Sequence, residues 1–207
     1  LLSVSAGHRR AAQEIQDCAQ RGQCCAFLGP RLSGTSEVLQ HVRSGLSDDP
    51  LTTCVYLDLR DIESSTRKQF FASLAAHLCS AVAGSGATGC VRLGMEVSSG
   101  AEFRACLKEC TARLQSNLVL VVDHLHIIPT DLVQTLLTSL RAAYMELAVD
   151  APRQLAGVVS GGMNLVGLSA GPTSPFPRST AFPCRRRRAP PTPSGGRSST
   201  TRRSMRW

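Results

Sequence analysis

Cys24-Cys25-Ala26-Phe27-Leu28-Gly29-Pro30-Arg31-Leu32-Ser33-Gly34-Thr35-Ser36 is the stretch whose reading decides the fold. A short apolar run enters a loop with a glycine at each end, and Val38, Leu39 and Val42 leave it at helical spacing. Strand, glycine loop and helix in that order follow the phosphate-binding pattern GxxxxGK[ST], with one departure: Thr35 stands where the pattern has lysine. In such a loop successive backbone N–H groups encircle an anion, and the helix that follows presents its N-terminus to it. The backbone from Gly29 through Pro30, Arg31, Leu32, Ser33 and Gly34 to Thr35 and Ser36 is therefore the candidate nucleotide cradle, and the Ser36 hydroxyl is the candidate Mg²⁺ ligand. Thr35 has no charge to place on terminal phosphates, and Arg31 is the cation nearest in sequence that could partly replace it. The alternative reading of the same residues is a plain Gly/Pro turn.

Outward from the loop, strands and helices alternate. Residues 9–21 place Ala12, Ile15 and Ala19 on one helix face, with Gly22 as C-cap. Thr53–Leu59 reads as a second strand ending near Asp58, and Ser64 or Ser65 can cap a helix running to about Val82. Residues 84–100 are rich in Gly and Ser and read as a long connection, followed by a helix over about 101–114. Asn117–Asp123 carries five consecutive aliphatics and ends in an acid, the signature of a strand buried on both faces in a parallel sheet. Pro129 opens a helix with Leu132, Leu136, Leu137, Leu140 and Tyr144 on its apolar face, and Leu155–Ser160 is a fourth strand. The pattern predicts an α/β fold with a mainly parallel sheet.

Asp123 ends its strand where ligands of open α/β sheets bind, which makes it a Walker B-type candidate for holding Mg²⁺ through water. The next position, often a glutamate that polarises water, is His124, a weak candidate base without the negative charge. Ser160 or Asn164, near the end of the fourth strand, can sense a terminal phosphate, although Ser160-Gly161-Gly162 fits a turn equally well. Taken singly, Asp123 is also a polar strand terminus, and His124 and His126 solvated loop residues. Two motifs in the right order and the right strand context argue for a nucleotide-binding fold.

With 207 residues the chain is long enough for one domain with a sizeable core. It begins at Leu1, which suggests a piece of a longer product. No run approaches the roughly 18 apolar residues of a membrane span, and the N-terminus lacks a signal-peptide core, so a cytoplasmic protein is expected. The net charge of +8 suggests nucleic acid until it is divided. Nine of the 23 basic residues fall in 177–207, which has no acid, so residues 1–176 carry 14 basic and 15 acidic residues, a net of −1. That Arg/Pro/Ser-rich tail cannot bury enough apolar surface to fold alone. It is either a nucleic-acid-binding arm acting by counterion release or an out-of-frame product. The nine cysteines show no ligand spacing; Cys106 and Cys110 stand four apart on a predicted helix, and all read as small buried hydrophobes.

The runs FLGPRLSGTSEVLQHV, VYLDLRD, LVLVVDHLHIIPTDLVQTLLTSLRAAY and GVVSGGMNLVGLSAGPTSPF together resemble the AAA-like P-loop ATPase module of bacterial STAND-type signalling proteins over about residues 8–176. The resemblance implies a three-layer P-loop NTPase fold with a five-stranded parallel sheet, its sensor strand lying between the phosphate-loop and Walker B strands. It implies ATP with Mg²⁺ as a regulatory switch inside a larger chain of sensor and effector domains. By position, Gly29, Gly34, Thr35 and Ser36 correspond to the phosphate loop, Asp123 to the Walker B acid, and Ser160 or Asn164 to the sensor. The likeness stops after Phe176, where the helical lid of such modules is expected. Residues 1–22 then form a lead-in helix, 23–176 the nucleotide-binding domain and 177–207 the tail. Because Thr35 and His124 both depart from the pattern, binding with impaired hydrolysis is expected; a scaffold that binds no nucleotide is the alternative.

Overall fold

The computed structural model describes residues 6–30, 33–84, 96–150 and 154–165. Its elements run α1 (Ala6–Gln20), β1 (Cys25–Leu28), α2 (Thr35–Ser47), β2 (Thr52–Asp58), α3 (Arg67–Gly84), α4 (Gly100–Arg113), β3 (Asn117–Asp123), α5 (Thr130–Asp150) and β4 (Leu155–Gly161). Short 3-10 turns follow β3 (Leu125–Ile127) and β4 (Met163–Leu165). Arg31, Leu32 and the tail 177–207 lie outside the described residues.

All four strands are parallel, in the order β1-β4-β3-β2. The strand carrying Ser160 therefore lies between the loop strand and the Asp123 strand, as the resemblance implies. Among the described residues the sheet has four strands rather than five.

Strand side chains alternate between the two faces, and the alternation divides the core in two. On one face Leu118, Leu120 and Val122 of β3, with Leu155 and Val159 of β4, pack against Phe70, Phe71, Leu74 and Leu78 of α3, Phe103 and Leu107 of α4, and Leu132, Leu136 and Leu140 of α5. On the other, Val119, Val121, Ala156 and Val158 meet Ala12, Ile15 and Ala19 of α1 and Val38, Leu39, Val42 and Leu46 of α2. Helices thus cover both faces in three layers, and β3 is buried along nearly its whole length. That explains why its sequence is a continuous apolar run rather than an alternating one.

Helix ends follow local chemistry. Gly22 closes α1 with φ +67°, and the Gln23 N–H reaches back to the Cys18 carbonyl, a left-handed cap that glycine adopts freely. The start of α3 corrects the expected cap at Ser64 or Ser65. Thr66 caps it, accepting from the Gln69 N–H at 3.2 Å while its hydroxyl donates to the Gln69 side chain at 2.6 Å. Ser99 caps α4 by accepting from the Glu102 N–H, and Glu102 in turn accepts from the Ser98 N–H at 2.6 Å. The far end of the Gly/Ser-rich connection is therefore tied to α4 from both Ser98 and Ser99. No helix among the described residues is long and apolar enough to cross a membrane.

Candidate functional site

Period-2 alternation also builds the site. Residues 54 and 56 of β2, 119 and 121 of β3, and 156 and 158 of β4 face α1 and α2. Two residues further along each strand, at its C-terminal end, stand Asp58, Asp123 and Ser160. β2 and β3 pair with Asp58 beside Asp123. The N-terminus of α2 points at the same place, because the loop from β1 turns there. Gly29, Pro30, Gly34, Thr35, Ser36, Glu37, Asp123, His124, His126, Ser160, Gly161 and Gly162 line one cleft of about 550 Å³.

Gly34 is the N-cap of α2 with φ +80° and supplies no side-chain cap. The first turn of α2 thus receives no side-chain cap at its N-cap. A Cβ on Gly34 would lie 2.6 Å from Cε1 of His8, which reaches over from α1; His8 Nδ1 also lies 3.8 Å from the Glu37 carboxylate. A Cβ on Gly29 would meet Ser33 Oγ at 2.7 Å and the Thr35 methyl at 3.1 Å, so the loop closes tightly over a residue without a side chain. Among the described residues, no Lys or Arg lines the cleft, and its acids are Glu37 and Asp123. The Thr35 departure is therefore not made good by a lysine from elsewhere in the described fold.

Asp123 is buried and held by three donors of its own chain. Its carboxylate accepts from the Tyr56 hydroxyl at 2.7 Å, the His124 N–H at 2.7 Å and the Ser160 hydroxyl. Burial and the adjoining Asp123 carboxylate push the Tyr56 phenol well above its ordinary value, so it stays protonated and donating. Ser160, the candidate sensor, thus spends its hydroxyl on Asp123. Asn164 is exposed in the 3-10 turn after β4 and is not among the residues lining the cleft.

His124 holds a left-handed backbone, φ 63°, which is uncommon for a residue with a side chain and clusters at functional sites. Its ring is mostly buried between three groups. Nδ1 lies 3.2 Å from an Asp58 oxygen and 3.3 Å from an Asp123 oxygen, aligned for a hydrogen bond with neither, and Nε2 lies 3.4 Å from Ser36 Oγ. Asp58 is anchored by Arg60, whose guanidinium and backbone N–H donate to it at 2.6 to 3.1 Å. Burial works against its ionisation, but the Arg60 hydrogen bonds and nearby His124 outweigh it and hold the carboxyl below its usual range.

An octahedral Mg²⁺ needs several oxygens at about 2.0–2.1 Å. Ser36 and Asp123 do reach one cleft, but an imidazole stands between the hydroxyl and the carboxylates, and three donors already occupy most of the roughly four acceptor sites of Asp123. These residues as arranged do not fit the ion.

Sequence reasoning missed His8, Tyr56 and the role of Asp58. Tyr56 and Asp58 stand at alternate positions of a strand whose end was already located, and that spacing is the signal that could have found them. His8 has no such signal, because α1 and the loop meet only in three dimensions.

No family profile and no characterised protein matches the chain by sequence. Solved structures do match by shape. The Aeropyrum pernix ORC1 protein in complex with DNA superposes with a TM-score of 0.60 at 16% identity, over 87% of this chain and 46% of that one. Cdc6p from Pyrobaculum aerophilum gives 0.56 at 17%, over 82% and 42%. A Walker-type ATPase of Pyrococcus abyssi gives 0.52 at 17%, over 82% and 50%. The chain spans half or less of each of these proteins. At such identities the likeness concerns the fold alone, and the fold is of the P-loop NTPase type.

Proposed function

We propose that this chain is a nucleotide-binding module that holds ATP by its phosphates and turns it over poorly. The observation that carries this reading is convergence: the glycine loop, the first turn of α2, Asp123 and Ser160 all meet in one cleft. Impaired turnover follows from the missing lysine and from His124, whose ring nitrogens face Ser36 and two carboxylates. Placement within a STAND-type signalling ATPase, as a cytoplasmic switch between other domains or subunits, is the finer form of the proposal and rests on the resemblance alone. This reading does not require Mg²⁺.

A second reading, a scaffold that binds no nucleotide, is favoured by one feature. The described cleft presents two acids and no Lys or Arg to a polyanion. Titration of ATP and ADP into the wild type, Gly34→Glu and Thr35→Lys separates the two. Binding by the wild type that Gly34→Glu abolishes supports the module. Binding seen only in Thr35→Lys supports the scaffold. Nucleic-acid binding through the Arg-rich tail is a third proposal, prompted by the tail's charge; deletion of residues 177–207 abolishes DNA or RNA affinity if it holds.

A further inference from the structure

Cys79 lies on α3, and Cys106 and Cys110 lie one turn apart on α4. Spacing of four places both α4 sulfurs on one helix face. The three Sγ atoms lie within 4.8 Å of one another, with those of Cys79 and Cys106 3.8 Å apart. Cys106 and Cys110 are fully buried and Cys79 is partly exposed, so the triangle reaches solvent at one corner. None of the three lines the nucleotide cleft.

Cysteines serving only as small hydrophobes have no reason to aim three sulfurs at one point. A bound ion does impose such a triangle. With a zinc–sulfur bond of about 2.3 Å, tetrahedral geometry sets neighbouring sulfurs about 3.8 Å apart, and a trigonal arrangement at the same bond length sets them about 4.0 Å apart. The observed separations, 3.8 Å and up to 4.8 Å, lie within about 1 Å of both. A disulfide needs about 2.05 Å and leaves the third sulfur without a role.

We propose that Cys79, Cys106 and Cys110 form a tris-thiolate site for a thiophilic closed-shell cation, either zinc(II) completed by a solvent molecule or copper(I) held by the three sulfurs alone. Thiolates select such soft ions. Each thiol releases its proton to solvent as its metal–sulfur bond forms, and no oxidation state changes. The ion ties α3 to α4 across a separation of 27 residues, so binding it stabilises the fold.

The test uses the full chain, reduced and stripped of metal, titrated separately with Zn²⁺ and with Cu⁺. The expected result is one equivalent of one of these ions, with X-ray absorption showing three sulfurs at about 2.3 Å. Cys79→Ser, at the partly exposed corner, weakens binding by more than the roughly 10–100-fold that outer partners of a metal ligand are worth. Cys18→Ser, remote in the fold, leaves binding unchanged. The proposal is overturned if the wild type binds neither ion, if two or fewer sulfurs surround the ion, or if Cys79→Ser keeps full affinity. Mass spectrometry that finds Cys79 and Cys106 joined as a disulfide under reducing conditions overturns it too. Should a variant fail to fold, the wild-type absorption spectrum decides by itself.

Discussion

Replacing Tyr56 with phenylalanine removes a single oxygen from the network that holds Asp123. The hydroxyl donates to the buried carboxylate at 2.7 Å, and the carboxylate keeps the His124 N–H and the Ser160 hydroxyl when it is gone. The ring stays under the Arg43 guanidinium, 5.8 Å from its centroid, so packing is little changed. A hydrogen bond to a charged group contributes about 1.5–3 kcal/mol. A loss of about 2 kcal/mol is therefore expected, which for a chain of this size lowers Tm by roughly 4–8 °C. Urea unfolding should show a lower midpoint at unchanged slope, since the surface exposed on unfolding is the same. Ser160→Ala acts on the same carboxylate, so the double variant should depart from additivity by about 0.5 kcal/mol or more. A loss below about 0.5 kcal/mol for Tyr56→Phe, with additive effects in the double variant, would show that these strand-end donors do not hold Asp123.

Gly34→Ala forces a side chain into φ +80° and sets its Cβ 2.6 Å from the His8 ring. The left-handed backbone alone costs about 1–2 kcal/mol; adding His8→Ala should recover only the steric part in thermal unfolding and restore little ATP affinity. His124→Glu removes the ring between Ser36 and the carboxylates, so ATP affinity measured with and without Mg²⁺ should diverge by roughly tenfold, equivalent to about 1.4 kcal/mol. Identical affinities would mean that His124 does not exclude the ion. The Asp58 carboxyl is held below its unfolded value of 3.8, so its stabilising effect is complete above that pH and is lost as pH falls through the folded value. Stability measured down the acid range should therefore fall less steeply in Asp58→Asn than in the wild type, from a lower starting point at neutral pH.

The alternation of strand and helix was legible because burial on both faces leaves an unmistakable run such as Leu118–Val122, and because amphipathic helices repeat their apolar residues every three to four positions. The loop could be found for a similar reason: glycine at 29 and 34 answers a backbone demand that is local in the chain. Helix starts were less legible. Several Ser and Thr residues precede α3, and only the hydrogen bonds to Gln69 show that Thr66 rather than Ser64 or Ser65 is the cap.

The sequence alone determined which residues end the strands and that Thr35 and His124 depart from the nucleotide-binding pattern. Tertiary structure decided what those departures mean. The order β1-β4-β3-β2 brings residues from three strands and α2 to one edge, and there His124 fills the space between Ser36, Asp58 and Asp123. The same holds for the cysteines. Cys106 and Cys110 show their helical spacing in the chain, but Cys79 joins them only because α3 packs beside α4. Side-chain spacing within an element is written in sequence; contacts between elements depend on packing, which no local pattern encodes.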